Sequence, residues 1–139
     1  MASTRATLID RIRLLGSGEV LRLGQLNQEI VRHWSQDEHN LDVVLTGDRR
    51  QHYIERHPDV LSVEQYLIDA VLDPDEVHRN KTDLRVAIFY KQVDQRHYLR
   101  VAVLMQPERS PLQHSILSIR LASPKELRKG QGRSEWKKG

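Results

Sequence analysis

The 139-residue sequence contains no cysteine. Disulfide frameworks, Cys-ligated zinc fingers, iron–sulfur clusters and thiol nucleophiles are therefore excluded, and any chemistry must come from oxygen and nitrogen groups. Long apolar runs are also missing. Leu41 to Leu45 and Val101 to Met105 stop far short of the ~20 residues that a membrane-spanning helix requires. Met1 to Asp10 carries Arg5 but no apolar stretch with a small-residue cleavage site, which predicts a cytoplasmic protein without a membrane partner. No G-x-G-x-x-G, Walker loop, H-E-x-x-H or G-x-S-x-G occurs, so nucleotide cofactors and the common hydrolase motifs have no support, and no cofactor is expected.

What is present is the composition of one compact domain, 38% apolar and 29% charged. A chain of this length buries roughly two thirds of its unfolded surface and needs no covalent staple. Lys and Arg number 22 against 19 Asp and Glu, a net charge of +3. The excess sits in the tail: Lys125, Arg128, Lys129, Arg133, Lys137 and Lys138 face only Glu126 and Glu135. A basic tail on a nearly neutral body points to a polyanion, or to simple solvation of a disordered terminus.

Periodicity divides the chain into three parts. Residues 1–40 read as a helical N-terminal extension. Leu8, Ile9, Ile12 and Leu15 form one helical stripe, with Thr4 or Thr7 as cap, and Leu23, Leu26, Ile30 and Trp34 form a second over Leu23 to Trp34. Residues 41–124 read as an α+β domain. Leu41 to Leu45 is a strand, and Thr46 or Asp48 caps a helix that ends before Pro58. Ser62 to Gln65 has the form of a capping box for a helix carrying Val63, Tyr66, Leu67, Ala70 and Val71. Leu84 to Tyr90, Tyr98 to Met105 and Ser115 to Leu121 then alternate as strands. Helices followed by a meander predict an antiparallel sheet of about four strands with helices on one face. Residues 125–139, with Gly130, Gln131 and Gly132 among dense charge, read as a flexible tail.

The densest titratable cluster is Arg49 to Pro58. On a helix Arg49, His52 and Arg56 share one face, and Tyr53 and His57 another. Imidazole and guanidinium together suit phosphate chemistry, since His moves protons near neutrality and Arg stabilises charge on phosphoryl oxygens. A solvated helix face is the plain alternative. Zinc is disfavoured because an H-x4-H pair supplies two ligands where three or four are needed. Lys91 and Arg100 are basic residues in core-like strands, and Ser115 and Ser118 offer hydroxyls; all can project onto the open sheet face.

Thr46-Gly47-Asp48-Arg49-Arg50-Gln51-His52-Tyr53-Ile54-Glu55-Arg56-His57-Pro58 resembles the L-T-x-x-R-x-x-H-I-x-x-R-H-P-E signature of the phage Barnase, EndoU, colicin and RelE like nuclease superfamily. Asp73 to Val77 is similar to its N-P-D-x-V, Phe89-Tyr90-Lys91 to its aromatic strand, Arg100 to Val103 to its next strand and Ile116 to Leu121 to its closing V-L-T-A-Y-L. The run Lys125 to Lys138 is similar to its K-x-G-x-x-x-W tail. Ser118 stands for the usual Thr, Ile119-Arg120 for Ala-Tyr, and Met105 falls near a commonly basic position. The resemblance implies a metal-independent endoribonuclease, toxin-like or phage-derived, acting on RNA such as tRNA, with a neutralising protein as possible partner. RNA supplies the 2′-hydroxyl nucleophile, and His57, His52, Lys91, Arg100 and Ser118 are the catalytic set implied, on the condition that they converge on one concave surface. Arg49, Arg56, Lys125, Arg128 and Lys129 are the RNA-binding set. The alternative from another class is a non-catalytic nucleic-acid or protein interaction module of phage origin.

Overall fold

The structure, a computed structural model, describes residues 5–139; the candidate cap Thr4 lies outside the described residues. The fold is α+β, but its sheet has seven strands rather than about four and is mixed rather than antiparallel. The elements follow as α1 (Arg5–Arg13), β1 (Val20–Gln25), α2 (Gln28–Val31), β2 (Asp42–Thr46), α3 (Gly47–Arg56), α4 (Leu67–Leu72), β3 (Glu76–Arg79), β4 (Val86–Gln92), β5 (Tyr98–Leu104), β6 (His114–Ala122), α5 (Pro124–Lys129) and β7 (Ser134–Lys137). Strand order is β1-β2-β6-β5-β4-β3-β7. The expected meander survives as β3 to β6, antiparallel throughout; β2 adds to β6 in parallel, through Val43 opposite His114.

Three expectations require correction. Leu23 to Trp34 is not one helix: Leu21 and Leu23 alternate as buried strand positions in β1, and only the four residues of α2 are helical. Residues 1–40 therefore contribute a strand to the sheet instead of forming a wholly helical extension. Ser62 to Gln65 does not cap a helix. Ser62 Oγ donates to Asp59 O at 2.9 Å, and the chain passes through two 3₁₀ turns before α4. The basic tail is not a flexible coil, since Ser123 caps α5 and β7 pairs with β3, placing Trp136 opposite Val77.

The sheet carries apolar residues on both faces, in unequal amounts. Val43, Leu45, Phe89, Leu99, Val101, Ile116 and Ile119 join Ile12, Ile30, Tyr53 and Ile68 in the main core, so α1 to α4 cover one face. Alternation sends Val86, Ile88, Tyr90 and Ala102 to the other face, where Leu127 of α5 covers part of a smaller cluster. Thr46 caps α3 by accepting from Arg49 N–H at 3.2 Å, worth ~1 kcal/mol. Gly47 opens α3 because a Cβ there would lie 1.9 Å from Gly16 O. The buried Glu64 then ties α3 to the following turn, accepting from Arg50 Nε and Nη2 at 2.9 and 2.8 Å and from the Tyr53 hydroxyl. Burial, with the Glu64 charge beside it, pushes the Tyr53 phenol well above its ordinary pKa.

Candidate functional site

The sheet stands between the residues that the sequence grouped. α3 lies on the helix-covered side, with Tyr53 in the core, His52, Arg49 and Arg56 exposed, and His57 half-buried at the C-cap. The His57 N–H donates to Tyr53 O at 2.8 Å, a bond that ends the helix before Pro58. Lys91 is on the same side, because it pairs with Leu99 and alternates with the core residue Phe89. Its Nζ donates to Asp73 O at 2.8 Å and lies 3.4 Å from Asp73 Oδ2 and 3.7 Å from Asp75 Oδ1. Lys138 and Lys91 hold the Asp73 carboxyl below its ordinary pKa. Lys91 is thus an anchored cation between two aspartates.

Arg100 and Ser118 face the other way. Arg100 is paired with Tyr90 and Arg120, and Ser118 with Ala102, all on the side of the smaller apolar cluster. The cleft expected between the His helix and the open sheet face is therefore not formed, and His57, His52 and Lys91 do not converge with Arg100 and Ser118. Lys125, Arg128 and Lys129 are exposed on α5, whose Leu127 packs on Arg100's face.

That face, opposite α1 to α4, carries a different constellation. A cleft of about 90 Å³ is lined by His78, Lys81, Tyr90, Arg100 and Arg133, among others. Glu76 and His78 are two residues apart on β3, so both point to this face, and the His78 imidazole is hydrogen-bonded through Nε2 to the Glu76 carboxylate. Gln131 Nε2 donates to the same carboxylate oxygen at 2.6 Å, and Lys137 Nζ lies 3.7 Å from the other. The tail thus builds one wall. Gly130 is needed there, since a Cβ would come 2.7 Å from His78 Nδ1. The Tyr90 ring meets the His78 ring edge-on, 4.9 Å between centroids. Burial raises the Tyr90 phenol pKa, and the neighbouring Arg100 guanidinium opposes that rise.

The cations of this face are poorly neutralised. Glu126 binds Arg120 through both oxygens, at 2.9 and 3.0 Å. Arg100 Nε is buried, 3.7 Å from Glu126 Oε2, and has no hydrogen-bond partner among the described residues. Lys81 and Arg133 form no ion pair with any described residue. Among the described residues, no three His, Asp or Glu side chains gather as a metal site.

Of this constellation the sequence pointed to Arg100 as a candidate site residue, and to Arg133 and Lys137 only as part of the basic tail. Glu76-Val77-His78 is too short a strand to announce itself by periodicity, although its i, i+2 spacing puts both polar groups on one face once a strand is assumed. Gln131 and Arg133 arrive through the β3–β7 pairing, which local sequence does not encode. No family model matches the chain, and no match to it is found among curated proteins or solved structures.

Proposed function

We propose that this chain binds RNA on the sheet face opposite α1 to α4, with a phosphate seated beside Arg100. The observation that carries the reading is the buried Arg100 Nε without an acceptor, in a cleft where Lys81 and Arg133 also lack carboxylate partners. A buried donor without an acceptor costs ~1–3 kcal/mol, which an entering phosphate oxygen recovers. Guanidinium suits such an oxygen through charge-assisted hydrogen bonds. Lys125, Arg128 and Lys129 on α5 extend the positive surface along the strand of a polyanion. That the polyanion is RNA follows from the sequence resemblance, as does the idea of a neutralising protein partner.

A second reading, metal-independent RNA cleavage, has one specific observation in its favour. The set of His57, His52, Lys91, Arg100 and Ser118 supports no mechanism, because the sheet divides it. His78, however, lines the same cleft as Arg100, and its imidazole is paired with the Glu76 carboxylate behind it. There the RNA 2′-hydroxyl attacks the adjacent phosphorus while His78 takes its proton, the P–O5′ bond breaks to leave a 2′,3′-cyclic phosphate, and His78 returns the proton to the departing 5′-oxygen; Glu76 orients the ring, and Arg100 stabilises charge on the phosphoryl oxygens. Incubating total RNA with the purified protein in EDTA tests this reading: His78→Ala should abolish cleavage and His57→Ala should retain it. For the binding reading, Arg100→Ala should weaken single-stranded RNA binding about tenfold with the melting temperature kept. Unchanged affinity would remove the basis of both readings.

A further inference from the structure

We infer that Arg100 and Arg120 form a seat for a terminal phosphate monoester, which the Glu126 carboxylate occupies in the free protein. The inference rests on the RNA-binding reading above and names the part of the RNA that the face selects. Arg100 and Arg120 are directly opposed cross-strand neighbours on β5 and β6. Two like charges so placed repel each other unless an anion lies between them. Here the anion is Glu126, in the first turn of α5, whose backbone N–H is fixed by Ser123 Oγ at 3.2 Å.

The fit of that carboxylate is incomplete. Both of its oxygens are committed to Arg120, at 2.9 and 3.0 Å, while Arg100 Nε stays 3.7 Å away with no acceptor. A carboxylate has only two oxygens in one plane. A phosphate monoester presents three terminal oxygens in a tetrahedral array: two can replace Glu126 on Arg120 while the third reaches Arg100. A phosphodiester inside an RNA strand has two non-bridging oxygens, as the carboxylate does, and reaches Arg100 only by giving up one of the two contacts to Arg120. The geometry therefore favours an RNA end over an internal linkage.

The seat is reachable. The Glu126 and Arg120 side chains are 37% and 33% exposed, and an ion pair so wetted holds weakly. A change of the Glu126 rotamer vacates it, while Leu127 keeps α5 packed on the smaller apolar cluster.

The test uses the full chain and two versions of one short single-stranded RNA, one with a 3′-phosphate and one with hydroxyl ends. Glu126→Gln should bind the phosphorylated strand about tenfold more tightly than the natural protein does, with affinity for the hydroxyl-ended strand nearly unchanged. Adding Arg120→Ala should erase that gain. Glu126→Ala serves as a second variant, and thermal melting shows that each variant is folded. If the natural protein binds RNA but neither Glu126 variant gains, the masked seat is wrong and the RNA reading stands. Equal gains for both strands would mean general relief of negative charge and overturn the terminal-phosphate assignment. If neither the natural protein nor the variants bind either strand, the inference falls together with the reading beneath it.

Discussion

The two faces of the sheet handle charge differently. On the helix-covered face, charged groups near the core end on protein partners: Lys91 on Asp73 and Asp75, Arg50 on Glu64, Arg79 on the carbonyls of His33 and Leu84 with its guanidinium over Trp34. On the opposite face, which only α5 covers in part, cations outnumber their acceptors, and Arg100 Nε is left without one. Polar groups satisfied within the fold contribute to stability, whereas those left unsatisfied by the fold are available to a ligand. The comparison separates residues that hold the chain together from residues that can bind.

The largest expected effect lies on the satisfied side. Glu64→Ala strands the Arg50 guanidinium and the Tyr53 hydroxyl, and removing one partner of a buried ion pair costs about 3–5 kcal/mol. Chemical denaturation should show that loss. A change below about 1 kcal/mol would mean that α3 is not held as described.

Next comes Trp136→Ala, which removes the half-buried indole of β7 opposite Val77 and should cost about 1–3 kcal/mol. Because β7 follows the turn that holds Arg133 and Gln131, the same variant should also weaken RNA binding. Weaker RNA binding with unchanged stability would make the indole a contact residue rather than a structural one.

A smaller effect depends on pH. His114 is held neutral, with Nδ1 accepting from Gln106 N–H at 2.9 Å and Nε2 facing Asn40 O at 2.7 Å. Burial lowers its pKa from the ordinary 6.5. Above that value both folded and unfolded chains carry neutral imidazole, and stability is unaffected. As pH falls below it, the unfolded chain takes up a proton that the folded chain refuses, so stability declines until the folded pKa is reached. Urea midpoints between pH 7.5 and 5, compared with those of His114→Gln, should isolate this slope; a variant with the same slope would assign it to other groups.

The smallest effect expected is that of His52→Ala, an exposed position on α3, within about 0.5 kcal/mol in stability and without change in RNA affinity.

Much of the fold was legible where local signals agree. Thr46 before α3 and Pro58 after it bound that helix in sequence as in structure, and β4 to β6 are apolar segments of seven residues or more, long enough to be read as strands. The failures share a cause. Leu23, Leu26, Ile30 and Trp34 fall at helical spacing only because a strand end and a short helix happen to be joined there. β7 has four residues, and its existence depends on β3, some sixty positions earlier. The site was less legible than the fold because facing depends on register. Lys91 and Arg100 flank a hairpin whose pairing, Lys91 with Leu99 and Tyr90 with Arg100, decides that they point to opposite sides.

The most direct test of the account is a map of backbone amide shifts as single-stranded RNA is titrated into the labelled protein. The account predicts shifts at Glu76 to Lys81, Tyr90, Arg100, Arg120 and Glu126 to Arg133, with α3 silent. Shifts concentrated on His52 to His57 and Lys91, with the Arg100 face unmoved, would contradict it.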